Sequence, residues 1–183
     1  GNIVIYKTSD NSVVETIDVT SNLVTGSGTT QITINPTDDL EPLTEYYLKI
    51  DATAFDDPSG NSYAGISDTT SLSFTTPDII PPTLTSSVPA DDAILVNVGS
   101  DLVLNFSEVV DVETGNIVIY KTSDNSVVET IDVTSNQVTG SGTNQITINP
   151  TDDLDSLTEY YLKIDATAFD DPSGNSYAGI SDT

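Results

Sequence analysis

The side chains in this sequence that could take part in chemistry are nearly all carboxylates. Asp and Glu number 29 against four Lys, with no Arg, His or Cys, and the formal net charge is −25. The absence of Cys excludes thiol catalysis, disulfides and Cys-ligated zinc sites. No phosphate-binding, dinucleotide-binding or nucleophile-elbow motif is present. A carboxylate pair could hydrolyse glycosides, but the Trp and Arg residues suited to sugar binding are missing. We therefore expect a protein that is not an enzyme.

The acidic residues collect in turn-rich segments, of which AFDDPSGNSYAG is the clearest. Calcium takes about six to eight oxygen ligands from carboxylates and carbonyls, which matches this supply. The segment does not match the EF-hand pattern, and solvated loop ends are the alternative interpretation of such clusters. We expect calcium as the cofactor, because converging carboxylates need a counter-ion. The predicted ligands are Asp51, Asp56, Asp57, Asn61, Asp78, Glu108, Asp111, Asp165, Asp170, Asp171 and Asn175.

The strongly acidic composition also restricts the partners of the chain. Nucleic acid and anionic membrane surfaces both require a basic footprint, so neither is expected to bind. No run approaches the roughly 18 apolar residues of a membrane helix, and we expect no membrane insertion. The opening GNIVIYK lacks the charged and apolar regions of a signal peptide, so any export signal is expected outside this sequence. We predict an extracellular protein, on the cell surface or secreted.

The segments that carry these acids belong to a long internal repeat. Residues 1–69 and 115–183 are identical except at four positions, with an offset of 114 residues. A repeat of this length has the size of a domain and indicates a tandem array. The four differing pairs are Leu23/Gln137, Thr30/Asn144, Glu41/Asp155 and Pro42/Ser156.

Alternating apolar residues predict that β-strands position the acidic segments. Runs such as IVIYK, QITIN and YYLKI are separated by turn signals every 8–12 residues or so, which favours Greek-key β-sandwiches of about seven strands. In VVETIDV, Glu15 breaks the alternation, and we expect a bulge or an edge strand there. The fold class is therefore all-β.

A proline-rich segment, TPDIIPP at residues 76–82, is the predicted linker between two domains. We assign residues 1–77 to a repeat that lacks its first two strands and residues 78–183 to one that lacks its last strand. An open strand edge invites pairing with another chain. We expect the missing strands to be supplied by continuing chain or by a neighbour, and favour continuing chain.

Two acidic segments of the second repeat are predicted to be loops. SEVVDVET, which contains Glu108, follows the second strand, and ATAFDDPSGNSYAGISD, in which we expect one helical turn, precedes the last one. Both are expected at the pole where the chain enters from the linker, so calcium is predicted near the junction between domains. As a metal ligand, Asp171 should be replaceable by Ala with little effect on the metal-free melting temperature.

Several motifs resemble bacterial Ig-like repeats of the type found in S-layer proteins and giant secreted adhesins. They are Pro81–Pro82, the turn Pro89–Asp91, the strand end Phe106–Glu108 and the loop Asp171–Asn175. The resemblance implies tandem Ig-like or fibronectin III-like sandwiches that serve as extender or assembly modules, often bind calcium and are not enzymes. In such sandwiches a corner tyrosine hydrogen-bonds back to the preceding loop, a role that fits Tyr46 and Tyr160.

These observations predict a structural repeat of a large extracellular bacterial surface protein, adhesin or filament, stiffened by calcium near its junctions. Near-identical copies favour this prediction, because repetition increases the length of a structural module. Repetition also increases the avidity of a binding surface. The alternative is an adhesive module that recognises glycan or other copies of itself. The expected partners are neighbouring repeats or copies of the same protein, with surface glycan as a further candidate.

Overall fold

The computed structural model describes residues 1–181 and divides the chain into two compact units, Gly1–Asp78 and Ile79–Thr183. All regular elements of the described residues are β-strands, and the paired strands run antiparallel. The prediction of an all-β fold is therefore confirmed. Within residues 1–181, no helix is long and apolar enough to cross a membrane.

The first unit contains one four-stranded sheet, with the order β2-β1-β5-β6, and a separate pair, β3-β4. Its strands are β1 (Asn2–Lys7), β2 (Val13–Asp18), β3 (Val24–Thr25), β4 (Thr33–Ile34), β5 (Glu45–Ile50) and β6 (Ser73–Thr75). The buried core comes from the inward residues of β1, β2 and β5, and half-buried residues of β3 and β4 cover part of it.

The irregularity predicted at Glu15 is present in β2. This strand lies at the edge of the sheet, and its pairing with β1 shifts register so that Ile5 faces Glu15 whereas Tyr6 faces Val13. A bulge therefore forms at Val14. It places the exposed Val13 opposite Tyr6, whereas Glu15 and the buried Ile17 lie opposite the buried Ile5 and Ile3.

The second unit is a β-sandwich with a more complete core. Its strands are β7 (Leu84–Val88), β8 (Leu102–Val112), β9 (Asn116–Lys121), β10 (Val127–Asp132), β11 (Val138–Thr139), β12 (Thr143–Ile148), β13 (Tyr160–Ile164) and β14 (Phe169–Asp170). One sheet has the order β10-β9-β13, and the other has the order β11-β12-β8-β14, with β7 also paired to β8. Inward residues from both sheets form one buried cluster.

The prediction that SEVVDVET is a loop is wrong, because β8 includes most of this segment. The strand continues through Glu108 to Val112 and pairs with both β12 and β14. Val110 is fully buried in the core. The acidic residues of this stretch are thus side chains of a strand with a buried apolar face.

The predicted helical turn in ATAFDDPSGNSYAGISD is also absent from the described residues. In the second unit this segment contains the short strand β14, a bridge between Asp170 and Ser176, and a bridge between Ile164 and Ile180. The corresponding first-unit segment has equivalent bridges and no helix.

The corner tyrosines behave as predicted in both units. The Glu41 amide donates to the Tyr46 hydroxyl at 3.0 Å, and the Asp155 amide donates to the Tyr160 hydroxyl at 2.8 Å. Each bond ties the loop before the strand to the strand itself.

Candidate metal centre

Four of the eleven predicted ligands lie in residues 165–177, which we call the second acidic loop. Its centre is a tight turn around Asp171. The Oδ1 atom of Asp171 accepts the amides of Ser173 and Asn175, both at 2.8 Å, and its Oδ2 atom accepts the Asn175 side-chain amide at 2.7 Å. The Gly174 amide donates to the Asp171 carbonyl. Asp, Ser, Gly and Asn favour such turns because their side chains or backbones satisfy local hydrogen bonds.

The first acidic loop, residues 51–63, repeats this turn around Asp57. The Asp57 Oδ1 accepts the amides of Ser59 and Asn61 at 2.8 Å, and Oδ2 accepts the Asn61 side-chain amide at 2.8 Å. The turn therefore forms from local residues in either unit.

The two loops differ in burial. Asp171 is 3% exposed and is the one charged residue in the buried core of the described chain, whereas Asp57 is exposed. Tyr177 is 6% exposed against 43% for its counterpart Tyr63. The second acidic loop is covered because β14 pairs with β8 and because the Phe106 ring contacts Phe169 and Tyr177, with centroids 5.5 and 5.2 Å away.

The hydrogen bonds of the turn keep both aspartates ionised. Burial alone would raise the pKa of Asp171, but donation from Asn175, Ser173 and Gly174 outweighs this and the pKa is lowered. The pKa of Asp57 is lowered chiefly by hydrogen bonds from Asn61. Asp171 is therefore a buried anion.

A second carboxylate approaches Asp171 within the same unit. One oxygen of Glu108, half-buried on β8, lies within 4.8 Å of an Asp171 oxygen. Two like charges at this distance repel by about 3 kcal/mol at an effective dielectric constant of 20. A cation between them would remove this repulsion.

The other predicted aspartate ligands of the second unit pair or hydrogen-bond with residues other than Glu108 and Asp171. Asp111 and Asp170 face each other across β8 and β14, and the Ser141 hydroxyl donates to Asp111 at 3.4 Å. The same hydroxyl accepts the Val112 amide at 3.0 Å. Ser141 was not predicted as a site residue, and only its position in the turn GSG marks it in the sequence.

Asp51 and Asp165 have a structural contact in common. Each accepts the amide of the residue that opens β1 or β9: Asn2 donates to Asp51 at 2.7 Å, and Asn116 donates to Asp165 at 2.8 Å. Of the other predicted ligands, Asp56 and Asn61 are exposed in the first acidic loop, and Asp78 is the half-buried last residue of the first unit.

The oxygen count limits what this centre can do. An ionised carboxylate has about four acceptor positions, and the turn already uses three of those on Asp171. Asp171 can thus offer one further acceptor position to an ion at this pair. A calcium ion, which needs about six to eight oxygens, would require more ligands or water at this pair.

Comparison with protein families identifies both halves of the chain. The bacterial Ig-like domain family matches residues 2–76 and again residues 78–182. Domains of this family occur in bacterial surface proteins and are generally non-catalytic structural modules. No curated protein and no solved structure matches the chain. The two matches together span nearly the whole sequence, and the chain therefore belongs to the bacterial Ig-like domain family.

Proposed function

We propose that this chain is a stretch of structural repeats from a large bacterial cell-surface or secreted protein, in which Ig-like domains act as an extender. The observation that carries the proposal is the tandem arrangement. Two members of one domain family follow each other with 65 of 69 aligned residues identical. Repetition of a rigid unit gives an extended protein length, which a single domain cannot supply.

The segment around the junction of the two family matches supports an extender. Residues 76–82 contain three prolines and no glycine. Proline fixes φ and stiffens an extended chain, whereas flexible linkers are rich in Gly and Ser. A linker of this composition suits an extender.

We further propose that calcium binds at the Glu108–Asp171 pair and stiffens the array. The buried, ionised state of Asp171 and its separation of at most 4.8 Å from a Glu108 oxygen support a cation at this position. Asp78, which immediately precedes the second unit in the chain, remains a predicted additional ligand.

Small-angle scattering and calorimetry test the two parts separately. Arrays with an increasing number of 114-residue periods should gain a constant length per period, and a compact particle would contradict the extender. Calcium should bind saturably to the 183-residue chain, and Glu108→Gln should weaken this binding. Identical scattering profiles and melting temperatures with calcium and with chelator would refute the calcium proposal.

A further inference from the structure

Three polar side chains of the second unit meet beside the hairpin of β11 and β12, away from the acidic loops. The Thr151 hydroxyl donates to Glu129 Oε1 at 2.6 Å, and the Gln137 side-chain amide donates to the same oxygen at 2.9 Å. The Gln137 Nε2 atom also donates to Thr151 Oγ1 at 3.1 Å. A hydroxyl, a carboxylate and a carboxamide are thus within hydrogen-bond distance of one another.

Backbone contacts hold these three groups in place. The Asn149 amide donates to the Gln137 carbonyl at 2.8 Å, and the Gln137 side-chain amide donates to the Asn149 carbonyl at 3.1 Å. The Thr151 amide donates to Glu129 Oε2 at 3.0 Å. A hydroxyl beside a base that further groups orient is the arrangement found in nucleophilic catalysis.

Glu129 is ionised at neutral pH and can accept the hydroxyl proton. Burial alone would raise its pKa, but hydrogen bonds from Thr151 and Gln137 outweigh this and the pKa is lowered. The Oε1 atom contacts both the oxygen that would lose a proton and the nitrogen that would gain one. A carboxylate of lowered pKa is a weak base, which suits a slow reaction that occurs once per chain.

We propose that Thr151 and Gln137 form an intramolecular ester bond, with Glu129 as general base and then general acid. Thr151 Oγ1 attacks the carbonyl carbon of the Gln137 side chain while its proton passes to Glu129. The carbon–nitrogen bond then breaks, and Glu129 returns the proton to the nitrogen, which leaves as ammonia. One C–O bond replaces one C–N bond, so no oxidant or co-reactant is needed. Contact within one chain removes the entropy cost of a bimolecular encounter.

The ester would close the hairpin covalently, because Gln137 precedes β11 and Thr151 follows β12. A cross-link of this kind restricts the unfolded chain and so stabilises the fold. Thr151 is exposed, and the ammonia can therefore escape to solvent. The proposal depends neither on calcium nor on the extender function.

The first unit has the same base and hydroxyl but lacks the carboxamide. The Thr37 hydroxyl donates to Glu15 Oε1 at 2.5 Å, and the Thr37 amide donates to Glu15 Oε2 at 3.0 Å. Leu23 stands at the position that corresponds to Gln137. The chain should therefore form one ester bond, in the second unit.

The mass of the intact 183-residue chain tests the proposal. After incubation at neutral pH, we expect the loss of one molecule of ammonia, and tandem mass spectrometry of a digest should locate the cross-link between residues 137 and 151. Thr151→Ser keeps a hydroxyl and should retain the bond, whereas Thr151→Val should abolish it. Glu129→Gln should slow its formation roughly a hundredfold or more.

A matched substitution in the first unit provides a second measurement that does not depend on how the second-unit variants fold. Leu23→Gln supplies a carboxamide beside Glu15 and Thr37, and this chain should lose a second molecule of ammonia. An unchanged mass of the unsubstituted chain, or hydrolysis of the Gln137 amide to a carboxylate, would overturn the proposal. So would an ammonia loss that persists in Thr151→Val, or a Leu23→Gln chain that loses no second ammonia.

Discussion

The two acidic loops have the same thirteen residues, yet only one of them is buried. In both, the aspartate turn forms with the same hydrogen bonds and nearly the same distances. In the second unit β8 lies against the loop, and Asp171, Phe169 and Tyr177 are buried. In the first unit the corresponding residues are exposed or half-buried. The turn is thus determined locally, whereas its burial depends on a strand about 60 residues earlier in the chain.

The sheets that carry the corner tyrosines show the opposite relationship. In these sheets the first unit is the more buried, because β6 covers β5, whereas Tyr160 and Leu162 of the second unit are half-buried. Neither unit is simply the better folded of the two. Each is more buried where its own neighbouring strand is present, and we expect substitutions at matched positions to cost more stability there.

The largest effect is expected from Phe106→Ala in β8. The Phe106 ring is 3% exposed and contacts both aromatic residues of the second acidic loop. Its loss leaves a cavity in the core, and we expect the free energy of unfolding of the second unit to fall by about 3–5 kcal/mol. Urea denaturation followed by NMR measures this, because the amides of Leu23 and Gln137 distinguish the units.

The first unit provides the control for this prediction. Its stability should be unchanged, since no residue of Gly1–Asp78 corresponds to Phe106. An equal loss of stability at the Leu23 signal would show that the two loops do not differ in the way described.

The second prediction compares Asp171→Ala with Asp57→Ala. Asp171→Ala leaves the part-buried amide donors of Ser173 and Asn175 without an acceptor, and we expect the second unit to lose about 1–3 kcal/mol in metal-free solution. Asp57→Ala exposes its donors to water and should destabilise the first unit clearly less. This revises the sequence-based expectation that Asp171→Ala has little effect without metal. Equal effects of both substitutions would contradict the importance of burial.

The third prediction concerns the corner tyrosines, for which the order of the units is reversed. Tyr46→Phe and Tyr160→Phe each remove the acceptor of one loop amide, at a cost of about 0.5–1.5 kcal/mol. We expect the larger loss for Tyr46→Phe, because Tyr46 is buried beneath β6. Unit-resolved thermal melting would check this, and a larger loss for Tyr160→Phe would refute it.

The smallest expected effect is the contribution of Asp171 to acid stability. Its pKa is lowered in the folded chain, so its stabilising contribution is present above the unfolded pKa of about 3.9 and is lost as pH falls through the folded value. The second unit should therefore lose less stability on acidification in Asp171→Asn than in the natural sequence. Parallel pH profiles of the two proteins would contradict this.

The sequence predicts the features that local pattern controls. Strand alternation, the bulge near Glu15 and the corner role of Tyr46 and Tyr160 all follow from spacing of a few residues. The loop predicted at residues 107–114 is wrong because its acids suggested solvent, although alternation with the buried Val110 is typical of a strand. The difference between Asp57 and Asp171 could not be predicted at all, because their neighbours in sequence are the same.

The near-identity of the repeats has a consequence for folding kinetics. Strand β8 pairs with β12, whose sequence TNQITI differs from residues 29–34 by one residue. Side-chain recognition therefore barely distinguishes the two candidate partners. Pairing of Asn105 with Gln145 closes a separation of 40 residues, and pairing with Gln31 would close one of 74. This difference in loop-closure entropy amounts to only about 0.5 kcal/mol. Because the N-terminal copy also emerges first during synthesis, β8 meets its competing partner before its own.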